Sequence, residues 1–169
     1  EHQQFNSDFL LFSYHGLPEH HIRQLDHSGT HCLESTDCCA RATAKQSLCY
    51  RAQCFATSKA LIRETNWMSD KFKVSFQSRL GRRPWIKPYS DLVVAELAQK
   101  GVKRLLVSCP SFVSDCLETL EEVAIRLKKD FLTAGGEDLR LVPAVNDSAM
   151  WTGGFLNTLR RPEWKWLKP

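Results

Sequence analysis

No run of apolar residues in this chain approaches the roughly 20 needed to cross a bilayer as a helix, so none of its segments reads as a transmembrane helix. The first residues, Glu1-His2-Gln3-Gln4, are polar and have neither the basic nor the apolar region of a signal peptide. Charge of one sign is also lacking. Lys and Arg number 23 against 19 Asp and Glu, and a net charge of +4 does not argue for nucleic acid as a partner. No C-x-x-C pair occurs among the seven cysteines, which removes an ordinary zinc ribbon. An odd cysteine count without a signal peptide also argues against a secreted disulfide scaffold. These absences predict a cytoplasmic protein whose cysteines bind metal or react. At 169 residues the chain suffices for one domain with a full core and is too short for two ordinary ones. It opens almost directly on a strand-like run, which predicts a fragment of something longer.

Four apolar runs read as strands: Asp8 to Tyr14, Lys71 to Gln77, Val102 to Cys109, and Leu139 to Val145. Pro143 limits the last or puts it near an edge. Helical patterns lie between them. One covers Arg51 to Glu64, with Phe55, Ala56, Leu61 and Ile62 as its apolar residues. A second covers Asp91 to Lys100 and is stopped by Gly101. The clearest carries Leu117, Leu120, Ala124, Leu127 and Phe131 at helical spacing, before Gly135-Gly136. A fourth runs from Asn146 to Arg160, with Gly153-Gly154 weakening it. This alternation predicts an α/β fold, a mostly parallel sheet with helices on its faces. Ligands of such sheets bind beyond the carboxyl ends of the strands.

His15 follows the first strand there, while Asp115 and Glu118 follow the third. A loop histidine satisfying a carbonyl and a base with a pKa near neutrality are both consistent with "YHG". Asp115 and Glu118 have capping-box spacing, which needs no chemistry. Glu118 and Glu122 lie one turn apart, where like charges repel unless protons or a metal join them. Arg79, Arg82, Arg83 and Lys87 surround Trp85 in "RLGRRPWIKP", either as a solvated basic loop or as a site for an anion. Cys32, Cys38, Cys39, Cys49 and Cys54 fall within one short segment. With His27 and His31 nearby, zinc and an iron–sulfur cluster both stay open.

Three motifs, "FSYHGLP", "SFQSRLGRRPWIKPYSD" and "GVKRLLVSCPSFVSDCLETLEEV", with the late "LNT", resemble the C-terminal half of ferrochelatases. These enzymes insert ferrous iron into a porphyrin in haem synthesis. The resemblance runs from Phe9 to Leu159 in the family's order. It implies a chelatase-like, Rossmann-like three-layer domain over residues 1–169, whose N-terminal counterpart lies elsewhere in the same enzyme. It implies catalytic and Fe²⁺-handling roles for His15 and Glu118, a secondary proton or iron path at Glu122, and porphyrin-side positions for Trp85 and Ser114. Cys116 stands where many members have histidine. The segment from His27 to Gln46 resembles the insertion of a bacterial subgroup that holds a 2Fe–2S cluster. That resemblance implies Cys32, Cys38, Cys39 and Cys49 as ligands, within a cysteine-rich insertion over 27–49, with Cys54 as the substitute. Protoporphyrin IX is the implied porphyrin, and peripheral membrane contact is left open. Alternatives are a chelatase for another metal and tetrapyrrole, or a non-enzymatic metal- or redox-sensing module. The fragment alone is expected to be inactive.

Overall fold

A computed structural model describes residues 5–40 and 48–161. Four strands form one parallel sheet: β1 (Phe9–His15), β2 (Phe72–Gln77), β3 (Arg104–Ser108) and β4 (Asp138–Leu141), in the order β2-β1-β3-β4. All four predicted strands form. Pro143 lies beyond the end of β4, which is an edge strand.

β1 is apolar almost throughout because both of its faces are covered, as parallel sheets require. Leu10, Phe12 and Tyr14 point into one core with Val74, Phe76 and Ile62. Leu11 points into the other with Val94, Leu105, Val107 and Phe131. Helix α1 (Glu19–Gln24) follows β1, and α2 (Tyr50–Thr65) supplies Cys54 and Ile62 to the first core. Helix α3 (Ser90–Gln99) covers the opposite face through Val93, Val94 and Leu97. The α2 pattern is shifted from expectation. Its buried line is Arg51, Cys54, Ser58 and Ile62, whereas Ala56 is exposed. α1, too short to show a periodic pattern, was not predicted.

The helix expected from Leu117 onward is broken into α4 (Leu117–Leu120), a π-helical turn at Glu122–Leu127, and α5 (Lys128–Thr133). Thr119, Val123, Leu127 and Phe131 are buried here, while Leu117 is 77% and Leu120 51% exposed, correcting the expected core face. Positions four apart drift by about 40° in an α-helix. The wider π turn removes much of that drift, so one i+4 series can stay on the core. The last helix, α6 (Ala149–Leu159), contains Gly153 and Gly154 and buries no residue among those described. No described helix is long and apolar enough to cross a membrane.

Candidate active site at the sheet's switch point

From β1 the chain runs outward to β2, then crosses to β3 on the other side of β1. The crevice between the carboxyl ends of β1 and β3 is therefore the topological switch point, where open α/β sheets bind ligands. His15 ends β1 there, and its backbone N–H donates to Ser111 Oγ in the loop after β3 at 3.3 Å. The Tyr50 hydroxyl donates to the His15 carbonyl at 2.8 Å, tying the strand end to α2. His15 Nδ1 lies 2.6 Å from the Gly16 carbonyl oxygen. A carbonyl only accepts, so Nδ1 carries the hydrogen, and in the neutral ring Nε2 is the nitrogen with the lone pair. Phe112 and Trp85 flank the imidazole, with ring centroids 6.2 and 6.4 Å away.

Gly16 is required by close approach. Its N–H donates to the Gln77 carbonyl at 2.8 Å, and a Cβ would sit 2.8 Å from that oxygen and 3.2 Å from Trp85 Cε3. Pro18 then bridges to Trp85. This is why an apolar strand stops on histidine, glycine and proline.

The carboxylates arrive on α4 and the π turn. Cys116, not Asp115, is the N-cap residue of α4, and its N–H donates to Thr119 Oγ1 at 3.0 Å. Asp115 accepts instead from the Ala144 N–H and the Asn146 amide. The capping-box reading of Asp115 with Glu118 is therefore overturned. The Glu118 carboxyl is held below its usual range chiefly by the Cys116 thiol, and His15 lies near enough to act on it in the same direction. The Glu118 carbonyl is fixed by the buried Gln77 amide at 2.5 Å. Gln77 accepts in turn from the Ser13 hydroxyl at 2.6 Å.

Glu122 is clamped by Ser78. The Ser78 N–H and hydroxyl donate to its two oxygens at 2.7 and 2.6 Å, from a left-handed backbone of φ 64°. Gln77, Ser78, Arg79, Asp91, Glu122 and Arg126 line a cleft of about 200 Å³ beside the sheet edge. Sequence reasoning missed Gln77 and Ser78. Their only signal was their place at the end of β2, the strand beside β1.

The structure thus brings His15, Glu118 and Trp85 to one edge, with Glu122 one turn further along. Ser114 lies exposed in the loop before α4. Of the basic loop, Arg79 is paired with Asp91 and stacked on Tyr89, its guanidinium carbon 4.3 Å from the ring centroid. Arg82 and Arg83 are exposed.

The cysteines meet elsewhere, at the start of α2. Cys38 Sγ and Cys39 Sγ are 3.9 Å apart. Cys49, the N-cap residue of α2, is in thiol contact with Cys39 and Cys32. These contacts, Cys39 foremost, hold the Cys49 thiol down to about 5. Although its sulfur makes no capping hydrogen bond of good geometry, the Ala52 and Arg51 amides facing it act in the same direction. Burial and Cys49 push Cys32 up to about 12. Cys54 stands apart, one helical turn on, with its sulfur against Tyr50 and burial pushing it up to about 12. All seven cysteines are free. Among the described residues no three His, Cys, Asp or Glu side chains are placed to hold a single metal ion. The Asp26 carboxylate orders the described part of the inserted segment, accepting from the Ser28, His31 and Cys32 N–H groups and the Ser28 hydroxyl. Residues 41–47 of that segment lie outside the described residues.

A crevice at a parallel sheet's switch point, carrying one imidazole with two carboxylates nearby on the following helical turns, defines an α/β domain with a ligand-binding edge. The chain belongs to the ferrochelatase family, whose model matches residues 1–162. It is 49% identical to a ferrochelatase of Azotobacter vinelandii over 162 residues, covering 95% of this chain and 48% of that protein. A ferrochelatase of Pseudomonas entomophila is 52% identical over 145 residues, covering 85% of this chain and 43% of that protein. The chain spans about half the length of the curated relatives it matches. Among solved structures, a protein described as CbiX of cobalamin (vitamin B12) biosynthesis from Marinobacter aquaeolei is 14% identical at a TM-score of 0.46. It covers 89% of this chain and 92% of that one, a likeness too distant to bear on the site.

Proposed function

We propose that this chain is the C-terminal α/β half of an enzyme that inserts Fe²⁺ into a porphyrin, protoporphyrin IX, to form haem. The observation that carries the reading is His15 at the switch point, with Nδ1 on the Gly16 carbonyl, Nε2 left to face outward and the Glu118 carboxylate nearby. Metallation replaces two pyrrole N–H protons by one ferrous ion. His15 Nε2 accepts a pyrrole proton, and Glu118 and Glu122 lead protons or Fe²⁺ along the π turn. Trp85 and Ser114 line the porphyrin side, and the other half of the longer protein supplies the facing wall. The cytoplasm is the proposed compartment. In the full-length protein His15→Ala should abolish haem formation from Fe²⁺ and protoporphyrin IX while circular dichroism stays unchanged. Near-normal turnover would refute the assignment.

The cysteine nest fits a resident 2Fe–2S cluster. The four thiols make one chain of contacts, Cys38 to Cys39 to Cys49 to Cys32, and four thiolates are what a two-iron centre takes, two to each iron. When bound, the cluster would supply cross-linking and electron storage, and porphyrin metallation needs no electron. Anaerobic purification of the full-length protein should give about two irons and two sulfides per chain. Stoichiometric zinc in a colourless sample would replace the cluster by a structural zinc site.

A further inference from the structure

Arg51 is the second residue of α2 and only 7% exposed. Its Nη1 donates to Cys39 Sγ at 2.9 Å and reaches toward Cys38 Sγ at 3.7 Å. Its Nε donates to the Lys87 carbonyl at 3.1 Å, and its guanidinium lies over the Phe55 ring, 4.9 Å from the centroid. Among the described residues no carboxylate forms an ion pair with it.

Two costs coincide here. A guanidinium cannot shed its proton when buried, so a buried arginine needs a counter-charge. The first turn of a helix is also the positive end of its dipole, where a cation is disfavoured. α2 is 16 residues long, so that dipole is developed. The Cys38 and Cys39 sulfurs that face the guanidinium give it no counter-charge as thiols. An anionic centre held by Cys38 and Cys39 offsets both, because it faces the guanidinium and the helix terminus together. A cluster of four thiolates and two sulfides carries more negative charge than two ferric ions cancel, and so meets the requirement.

The other end of the same guanidinium grips the loop. The Lys87 carbonyl is one residue from Ile86, whose N–H donates to the Leu17 carbonyl, and two from Trp85, which pairs with Pro18. The Pro88 carbonyl accepts from the Phe76 N–H on β2.

We infer that Arg51 is a positioning residue that supplies the counter-charge for an anionic centre on the Cys38–Cys39 thiolates and ties that centre, through the Lys87 carbonyl, to the loop carrying Trp85. The inference rests on the cluster reading above. It predicts that removing the charge makes the centre harder to reduce, because an added electron no longer meets a facing cation. It also predicts that the loop loosens.

The test uses full-length protein purified anaerobically, as wild type, Arg51→Gln and Arg51→Lys. The readouts are iron and sulfide per chain, the midpoint potential by dye-mediated titration, and amide exchange over residues 84–89. Arg51→Gln should lower the reduction equilibrium at least tenfold, 59 mV for one electron, and speed exchange over 84–89. Arg51→Lys should recover most of the potential but not the exchange protection, because an ammonium lacks the fork that reaches both partners. A brown wild type whose potential and exchange are both unmoved by Arg51→Gln overturns the role of Arg51 alone. A colourless wild type overturns the cluster reading and this inference with it. Should Arg51→Gln load no iron, loading restored in Arg51→Lys supports the charge role, and loading lost in both overturns it.

Discussion

Replacing Ser78 tests how the carboxylate line is held. Two contributions oppose each other at this residue. Its N–H and hydroxyl both donate to the Glu122 carboxylate, at 2.7 and 2.6 Å. Its backbone sits at φ 64°, where any residue with a Cβ is disfavoured by about 1 kcal/mol or more. Ser78→Ala keeps that backbone cost and loses the hydroxyl bond to a charged acceptor, worth about 1.5–3 kcal/mol when desolvated. Glu122 is only half-buried, so the lower end applies, and about 1.5 kcal/mol is expected. Ser78→Gly loses the same bond but relieves the backbone, leaving a net cost of about 0.5 kcal/mol. Urea unfolding of this chain reads the difference. With a slope of about 1.5–2 kcal/mol per molar, Ser78→Ala should lower the midpoint by somewhat under about 1 M and Ser78→Gly by about a third of that. A third variant, Glu122→Gln, keeps an acceptor but no charge and should fall between wild type and Ser78→Ala. Equal midpoints for Ala and Gly would refute the backbone argument. An unmoved Ser78→Ala would refute the clamp.

Gly16→Ala should destabilise the chain by about 1–3 kcal/mol in the same assay, since its Cβ must displace the Gln77 carbonyl or Trp85; a neutral result would mean that the β1–β2 edge yields freely. Acid should unfold the protein early. Glu96 is held at about 2, chiefly by Lys100, while the Ser28 hydroxyl lowers Asp26 and the Asn146 amide lowers Asp115. Depressed carboxylates contribute stability that is fully present above their ordinary range and lost as pH falls through their folded values. The carboxylates' share of the stability should therefore hold from pH 7 to 5 and be lost between pH 4 and about 2, read as a fall in the thermal midpoint; a flat profile over that acid range would show these contacts to be idle. In the anaerobic full-length protein Cys49→Ser should bleach the colour and Cys109→Ser should not, because Cys109 lies beyond β3 with its thiol directed to Gln77; equal loss in both would point to unfolding rather than ligation.

The strands and most helices were legible in the chain because burial on both faces leaves apolar runs, and helices leave a period. His15, Glu118 and Trp85 stood out only through motifs that resemble a known family, and local geometry accounts for the residues beside two of them. Gly16 must admit the Gln77 carbonyl, and Pro18 must turn the chain toward Trp85. Where the period misled, at Leu117 and Leu120, a π turn changed which residues face the core, and a turn of that kind costs no change of composition. The strand order β2-β1-β3-β4, and with it the switch point, came only from the sheet, because parallel pairing joins residues far apart in the chain. Gln77, Ser78 and Arg51 are ordinary polar residues in sequence. Only packing buries Arg51 beside two thiols with no carboxylate paired to it among the described residues, or sets Gln77 and Ser78 against the backbone of one acid and the side chain of another. The sequence by itself determined which chemistry-bearing groups lie at strand ends, since strand ends follow from local patterning. Tertiary structure alone decided which of them meet, because those contacts form between segments whose separation along the chain carries no local signal.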